Sequence, residues 1–310
     1  MVNIKANFGR NDMENKKVLL IVNSVAGKLA SHTALFDIVN TFCKKDWDVT
    51  VKTTQYRGHA KELASSAEKE YDLIVCCGGD GTMNEVLNGL LAEKDKTTIP
   101  VGYIAAGSTN DFADTLGISS DISKSSFSIT KERETLLDVG KFGDDSYFSY
   151  IASFGAFTAA SYDAPQDLKN TLGHFAYVLQ GIKDLSSLKP TKATVIADGK
   201  EYSGDFLFGS VSNTKSVAGI VKLKDNIVDL QDGLFEVLLV KNPKDIIQLN
   251  DILVGATSAD FSSDMFEFFK AKDISFHFTK AINWSLDGEK VKSPKEISIT
   301  NLHEAVCLWK

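Results

Sequence analysis

The feature that most constrains this chain is a short apolar run that empties directly into glycine. Leu73-Ile74-Val75-Cys76-Cys77 is followed without a break by Gly78-Gly79-Asp80-Gly81-Thr82-Met83-Asn84-Glu85. The apolar run reads as a buried strand. Met83, Val86, Leu87, Leu90 and Leu91 then share one face of a helix. Three glycines in four positions let the backbone turn tightly and approach a ligand closely. The helix N-terminus that follows adds unpaired N–H groups and the positive end of a dipole, a combination that favours phosphate. Asn84, Glu85 and Asn88 fall on the opposite arc, free to face a cleft. The string is neither the dinucleotide fingerprint GxGxxG nor the P-loop GxxxxGK[ST].

This unit belongs to a longer alternation. Residues 17–23 (KVLLIVN) are an apolar run closed by Ser24-Val25-Ala26-Gly27, and Ser31 is placed to cap the helix that follows. In that helix Leu35, Ile38, Val39 and Phe42 fall at i, i+3, i+4 and i+7. WDVTVKTT and TIPVGYIAAG read as further strands and HAKELASSAEKE as a further helix. Alternation of this kind predicts a parallel sheet covered by helices on both faces.

Past Leu137 the character changes to short strands separated by Asp-Gly turns (ADGK, QDG, LDGE), which predicts an antiparallel sandwich. Two helices are expected to interrupt it, around 167–185 and around 243–256, the second with Pro243 at its start. The expected organisation is a loose extension over 1–15, an α/β nucleotide-binding domain over 16–137, and a β-sandwich domain over 138–310. The last strand is a candidate to return to the first lobe, and a cleft should lie between the two.

Composition removes whole classes. Lys and Arg number 34 against 41 Asp and Glu, a net charge of −7, which disfavours a nucleic-acid-binding role. The four cysteines form no CxxC pair, as expected of a reduced, cytoplasmic chain rather than a disulfide scaffold or zinc site. No apolar run approaches the ~18 residues of a membrane span, and the N-terminus lacks the apolar core of a signal peptide.

Two more loops follow strands and precede helices: Asn23-Ser24-Val25-Ala26-Gly27-Lys28 and Gly107-Ser108-Thr109-Asn110-Asp111-Phe112-Ala113. Ligands of open α/β sheets bind beyond the carboxyl ends of the strands, where three such loops can converge on a nucleotide. Any one of them alone would be ordinary turn chemistry. Late in the chain stands Leu286-Asp287-Gly288-Glu289, which by itself is usually a hairpin turn.

Taken in order, NSVAGK, GGDGTMNEV, GSTNDFA, LQDGLFEV and LDGE closely resemble the bacterial diacylglycerol kinase and sphingosine-kinase-like lipid kinases, over residues 16–310. GGDGT alone also resembles NAD kinases and phosphofructokinases. The resemblance implies an ATP site between an α/β lobe and a β-sandwich lobe, with Mg²⁺ and a lipid hydroxyl as acceptor. By that similarity Asn23 to Lys28, Thr54 and Ser108 meet the nucleotide. Gly79, Asp80, Gly81, Thr82, Met83, Asn84 and Glu85 cradle its phosphates, with Asp80 near the metal. Asp229, Asp232 and the Leu234 carbonyl match a metal-binding turn, although Gln231 stands where one common version of the motif is acidic. Asp287 is expected as the base that accepts the hydroxyl proton, with Glu289 close behind.

The acceptor is less legible. The aromatic segments SYFSYIASFGAF and ADFSSDMFEFFKA are either core or the wall of an acyl-chain pocket. Lys215, Lys222 and Lys224 either meet anionic headgroups or form a solvated face. Membrane contact is expected to be peripheral and reversible, and a homodimer through sheet edges is the assembly considered. The rival readings are an NAD kinase and a nucleotide-sensing protein without turnover.

Overall fold

The structure is a computed structural model of the chain. It describes residues 15–25, 30–92, 97, 99–108, 110–155, 188–214, 216–217, 221–222 and 229–310.

Strands β1 (Lys17–Val22), β2 (Asp48–Thr53), β3 (Leu73–Gly78) and β4 (Val101–Ala105) form the expected parallel sheet in the order 2-1-3-4. Both of its faces are covered, and the pleat sorts the side chains. Leu19, Ile21, Ile74 and Cys76 pack on one side with Met83, Val86 and Leu90 of α3 (Asp80–Leu91) and Ala60 and Ala64 of α2 (His59–Ser65). Val18, Leu20, Val75 and Cys77 pack on the other with Ile38 and Phe42 of α1 (Ala30–Cys43) and Ile129 of α5 (Ile122–Ile129). A short helix, α4 (Asp111–Thr115), precedes α5. Helix α1 opens at Ala30, so Ser31 lies inside its first turn instead of capping it. Helix α5 has no counterpart in the sequence reading; its cap is Asp121, whose carboxylate accepts from Lys124 N at 3.0 Å.

The second half is antiparallel. Strands β5 (Glu134–Phe142), β6 (Ser146–Phe148), β7 (Ile151–Gly155), β8 (Thr191–Ala197), β9 (Lys200–Ser212) and β12 (Phe235–Lys241) lead to β13 (Phe266–Ala271), β14 (Asp273–Phe278), β15 (Ile282–Leu286), β16 (Glu289–Ser293) and β17 (Glu296–Trp309). A two-stranded ribbon, β10 (Ser216–Val217) and β11 (Val221–Lys222), lies apart from this sheet. The core is aromatic: Trp284 stands among Phe142, Phe154, Phe276 and Phe278 with ring centroids 4.9–6.1 Å apart. Tyr147, Phe148, Phe154 and Phe266 of the two aromatic segments are buried in the core, which removes them as walls of an open acyl-chain pocket. Helix α6 (Ile246–Ser258) is capped by Asp245, which accepts from Gln248 N at 2.8 Å, so Pro243 stands two residues ahead of the cap. The other expected helix, around 167–185, lies outside the described residues, as do Lys215 and Lys224 and the side chain of Lys222.

One strand joins the halves. The first part of β17 pairs antiparallel with β14, from Glu296↔His277 to Thr300↔Asp273, and its end pairs parallel with β4 through Leu308↔Val101 and Trp309↔Gly102. Strand β5 runs antiparallel beside β17, with a register shift between Leu302 and Val306 where Glu304 takes a positive φ of 50°. The two sheets are thereby continuous, and the carboxyl ends of β1 to β4 face the β15–β16 hairpin.

Candidate active site

Strand β3 ends at Gly78 and α3 starts at Asp80, so Gly79 alone turns the corner, as an extended N-cap whose side-chain-free backbone leaves room above it. The corner is tight because the loop after β4 lies against it. A Cβ on Gly107 would stand 2.5 Å from Gly79 Cα and 2.7 Å from Asn110 Oδ1, and one on Gly78 would stand 2.7 Å from Thr82 Oγ1. Asn110, with a positive φ of 59°, holds that loop by accepting from Gly107 N at 2.9 Å and donating to Gly107 O at 2.8 Å. The loop after β1 is tied in by Asn23, whose Nδ2 donates to Thr82 Oγ1 at 2.8 Å. All three loops thus meet at the first turn of α3.

A cavity of about 720 Å³ opens over this corner, lined by Asn23, Thr54, Gly79, Gly81, Ser108 and Glu289 among others. Val25 is on the same wall; Ala26, Gly27, Lys28 and Thr109 lie outside the described residues. Met83 does not reach the cavity, since its side chain is fully buried in the core under α3. Glu85 also lines the cavity, with its carboxylate already engaged. Its carboxylate accepts from Gly58 N at 2.8 Å and Ala60 N at 3.2 Å, capping α2 from a distance and fixing the loop that carries Thr54.

Asp80 turns inward, where its Oδ1 accepts from the Tyr103 hydroxyl at 3.0 Å. Burial is the main force on it and pushes its carboxyl up to about 6, with the Tyr103 hydrogen bond pulling the other way and Asp111 adding repulsion. Tyr103 is a partner the sequence reading missed; it sits in a strand as an ordinary aromatic, and only the parallel register places it beneath Asp80.

Asp287 and Gly288 form the two-residue turn between β15 and β16, both with positive φ (48° and 86°), the pattern that Asp-Gly hairpins favour. The turn is pressed into the seam between the lobes. Asp287 Oδ1 accepts from Tyr150 N and Ile151 N, both at 3.0 Å, and Oδ2 accepts from Ser149 N at 2.5 Å and Asn84 Nδ2 at 2.7 Å. Burial raises its carboxyl above the usual range while these four donors pull it back. Asn88, one turn beyond Asn84 on α3, exchanges hydrogen bonds with the Tyr147 backbone at 2.9 and 3.0 Å and locks the same seam. Glu289 points the other way, into the cavity, close enough that a Cβ on Gly81 would lie 3.8 Å from its Oε1.

The turn at Asp229, Asp232 and Leu234 does not line the cavity. Asp229 accepts from Gln231 N at 3.1 Å and Asp232 Oδ1 from Leu234 N at 3.0 Å, while Asp232 Oδ2 stands 2.6 Å from Lys270 Nζ. Among the described residues no group of three His, Cys, Asp or Glu converges as metal ligands. As folded, Asp232 Oδ2 is held by the Lys270 ammonium, whose charge disfavours a divalent ion beside it. Asp138, also missed in the sequence, anchors this turn: fully buried, it accepts from Gly233 N at 2.7 Å and Glu304 N at 2.8 Å.

A phosphate-seeking glycine corner faced by a carboxylate hairpin is the layout of a phosphotransferase. The diacylglycerol kinase catalytic domain matches residues 17–142. A diacylglycerol kinase of Bacillus subtilis is 32% identical over 277 residues, covering 88% of this chain and 90% of its own length. One from Staphylococcus saprophyticus is 30% identical over 276 residues, with 88% and 89% covered. The crystal structure of a putative diacylglycerol kinase from Bacillus anthracis superposes with a TM-score of 0.78 at 25% identity, covering 95% of this chain and 96% of that one. The chain belongs to the diacylglycerol kinase family and is a lipid kinase. Among the described residues no helix is long and apolar enough to cross a membrane.

Proposed function

We propose that this kinase transfers the γ-phosphoryl group of ATP to the hydroxyl of a diacylglycerol-like lipid, with Mg²⁺, working at a membrane surface by peripheral contact. The observation that carries the reading is the approach of Glu289 to Gly81: a half-exposed carboxylate, partnered by the exposed Arg57, stands over the helix N-terminus that favours phosphate. Gly79, Gly81 and Thr82 at the head of α3 would hold the phosphates, with Asn23, Thr54 and Ser108 completing the nucleotide site. Asp80 has the oxygen chemistry that a hard cation takes, but it turns inward onto the Tyr103 hydroxyl and would have to turn toward the cavity to meet one. When bound, Mg²⁺ would neutralise charge on the phosphates during transfer.

The two carboxylates of the hairpin divide the work. Asp287 has two donors on each oxygen, so it can take a proton only by giving up one of four hydrogen bonds. We assign it the orienting role, and the proton acceptor role to Glu289, which the expectation from sequence had ranked second. Glu289 faces the cavity, and its bond to the exposed Arg57 is made through Oε2, so it can take a hydroxyl proton without leaving a buried donor unpaired.

Phosphate transfer from ATP should be followed against a panel of lipid alcohols in mixed micelles, with NAD as a soluble acceptor. Phosphorylation of a glycerolipid hydroxyl that is lost in Glu289→Gln supports the reading, and the panel names the acceptor. Phosphorylation of NAD alone would overturn the lipid acceptor. Nucleotide binding without turnover on any acceptor would favour a sensing role.

A further inference from the structure

Arg57 spans the mouth of the cavity. It belongs to the loop between β2 and α2, and its guanidinium is hydrogen-bonded to the Glu289 carboxylate on the opposite lobe. Neither side chain is buried: 76% of the Arg57 side chain and 48% of the Glu289 side chain remain exposed, so the pair can part without leaving a buried charge behind. The backbone beneath Arg57 is fixed, because Glu85 on α3 binds Gly58 N and Ala60 N directly after it. The same helix therefore positions both the glycine corner and the arginine. Among the described residues lining the cavity, Arg57 and Lys61 are the only cations, and Arg57 is the one held against the carboxylate over Gly81.

A triphosphate seated on the glycine corner would bring its reacting end beside Glu289, since a base must lie within reach of the hydroxyl that attacks that phosphorus. Two anions would then share one arginine, and a guanidinium presents a fork that matches phosphate as well as carboxylate. We propose that Arg57 is a γ-phosphate ligand whose alternative partner is Glu289. Nucleotide entry exchanges the carboxylate for the terminal phosphate, and Glu289 is released to accept the hydroxyl proton only once ATP is in place. This rests on the kinase reading above and adds to it the order of events: the base is masked until the phosphoryl donor has bound.

The test is calorimetric titration of Mg-ATP and Mg-ADP, without lipid, into the wild type, Arg57→Gln, Arg57→Lys, Glu289→Gln and the Arg57→Gln/Glu289→Gln double variant. Losing a charge-assisted phosphate contact should weaken ATP about tenfold or more in Arg57→Gln, with Arg57→Lys in between and ADP changed less than about twofold. Glu289→Gln should bind ATP more tightly than the wild type, because its arginine is no longer engaged, and the double variant should stay as weak as Arg57→Gln. Unchanged ATP affinity in Arg57→Gln, or equal weakening of ATP and ADP, would overturn the assignment to the terminal phosphate. A double variant that recovers wild-type affinity would overturn it as well, by making Arg57 a mere neutraliser of Glu289. If the wild type binds no ATP at all, the nucleotide reading itself falls, and this inference with it.

Discussion

Asn84 Nδ2 lies 2.7 Å from Asp287 Oδ2, one hydrogen bond that links the phosphate-corner helix to the hairpin of the opposite lobe. The two residues are 203 positions apart in sequence. Because the acceptor is a buried carboxylate, the bond is charge-assisted and its loss leaves a charge short of a partner. Asn84→Ala is expected to destabilise the protein by about 1–3 kcal/mol in urea unfolding and to lower kcat. Asn84→Asp, which sets two carboxylates against each other, should cost more on both counts.

Asp287 and Glu289 should separate cleanly in paired measurements. Asp287→Asn turns an amide N–H₂ toward backbone N–H donors from Ser149, Tyr150 and Ile151, and about 1–3 kcal/mol of stability should go with activity. Glu289→Gln changes an exposed side chain, so unfolding should move by less than about 0.5 kcal/mol while phosphate transfer falls by about 10²-fold or more. Equal stability losses in the two variants would remove the division of roles.

Gly107→Ala tests the close contact of the two loops. Its Cβ would stand 2.5 Å from Gly79 Cα, a backbone atom that cannot rotate away. The loops must part, at a cost of about 1–3 kcal/mol as for other overpacked sites. The expected readout is weaker nucleotide binding by titration, with the far-ultraviolet spectrum unchanged.

Asp80 makes stability depend on pH with a definite sign. Burial pushes its carboxyl up to about 6 in the folded state, against about 3.9 for a free aspartate, so the folded state holds the extra proton between those values. The stability it contributes is complete below the unfolded value and is lost as pH rises through 6. Asp80→Asn cannot titrate. In nucleotide-free protein it should match the wild type near the acid end and exceed it above pH 6 by on the order of 3 kcal/mol. Urea midpoints across pH measure this, and a difference independent of pH would contradict it.

Lys270 bridges Asp232 at 2.6 Å and Glu236 at 3.2 Å, and the Glu236 side chain is wholly buried. Lys270→Met removes the cation from both and should cost about 2 kcal/mol or more. Without nucleotide, adding or chelating Mg²⁺ should leave the wild-type melting temperature unchanged, whereas Lys270→Met should become sensitive to it. A strong Mg²⁺ response in the wild type would restore the divalent-ion reading of the Asp229–Leu234 turn.

Much of this was open to sequence reading because it is local. The continuous burial of β1 and β3, the helical face of α3, and the phosphate-favouring corner at Gly79 follow from residues within a dozen positions of one another. Helix α5 escaped because Ser125 and Ser126 face inward, where their hydroxyls bond back to Ile122 O and Ser123 O, so its buried face is not written in apolar residues. Tyr103 and Asp138 escaped because neither carries a motif; their partners come from a helix N-terminus, a turn and a strand distant in sequence.

The clearest division lies between two identical dipeptides. Asp198-Gly199 and Asp287-Gly288 each join neighbouring antiparallel strands with two positive φ angles, and the need for left-handed backbone at both positions specifies Asp-Gly in each. Sequence by itself determines the turn. Asp198 is exposed and binds the adjacent Lys272 and Asp273 amides, whereas Asp287 is buried against α3 and the amides of 149–151. That difference arises where β17 splices the antiparallel strands onto β4 and brings the β15–β16 hairpin over the carboxyl ends of the parallel sheet. Local backbone chemistry makes both turns, and only long-range strand pairing decides which one carries the site.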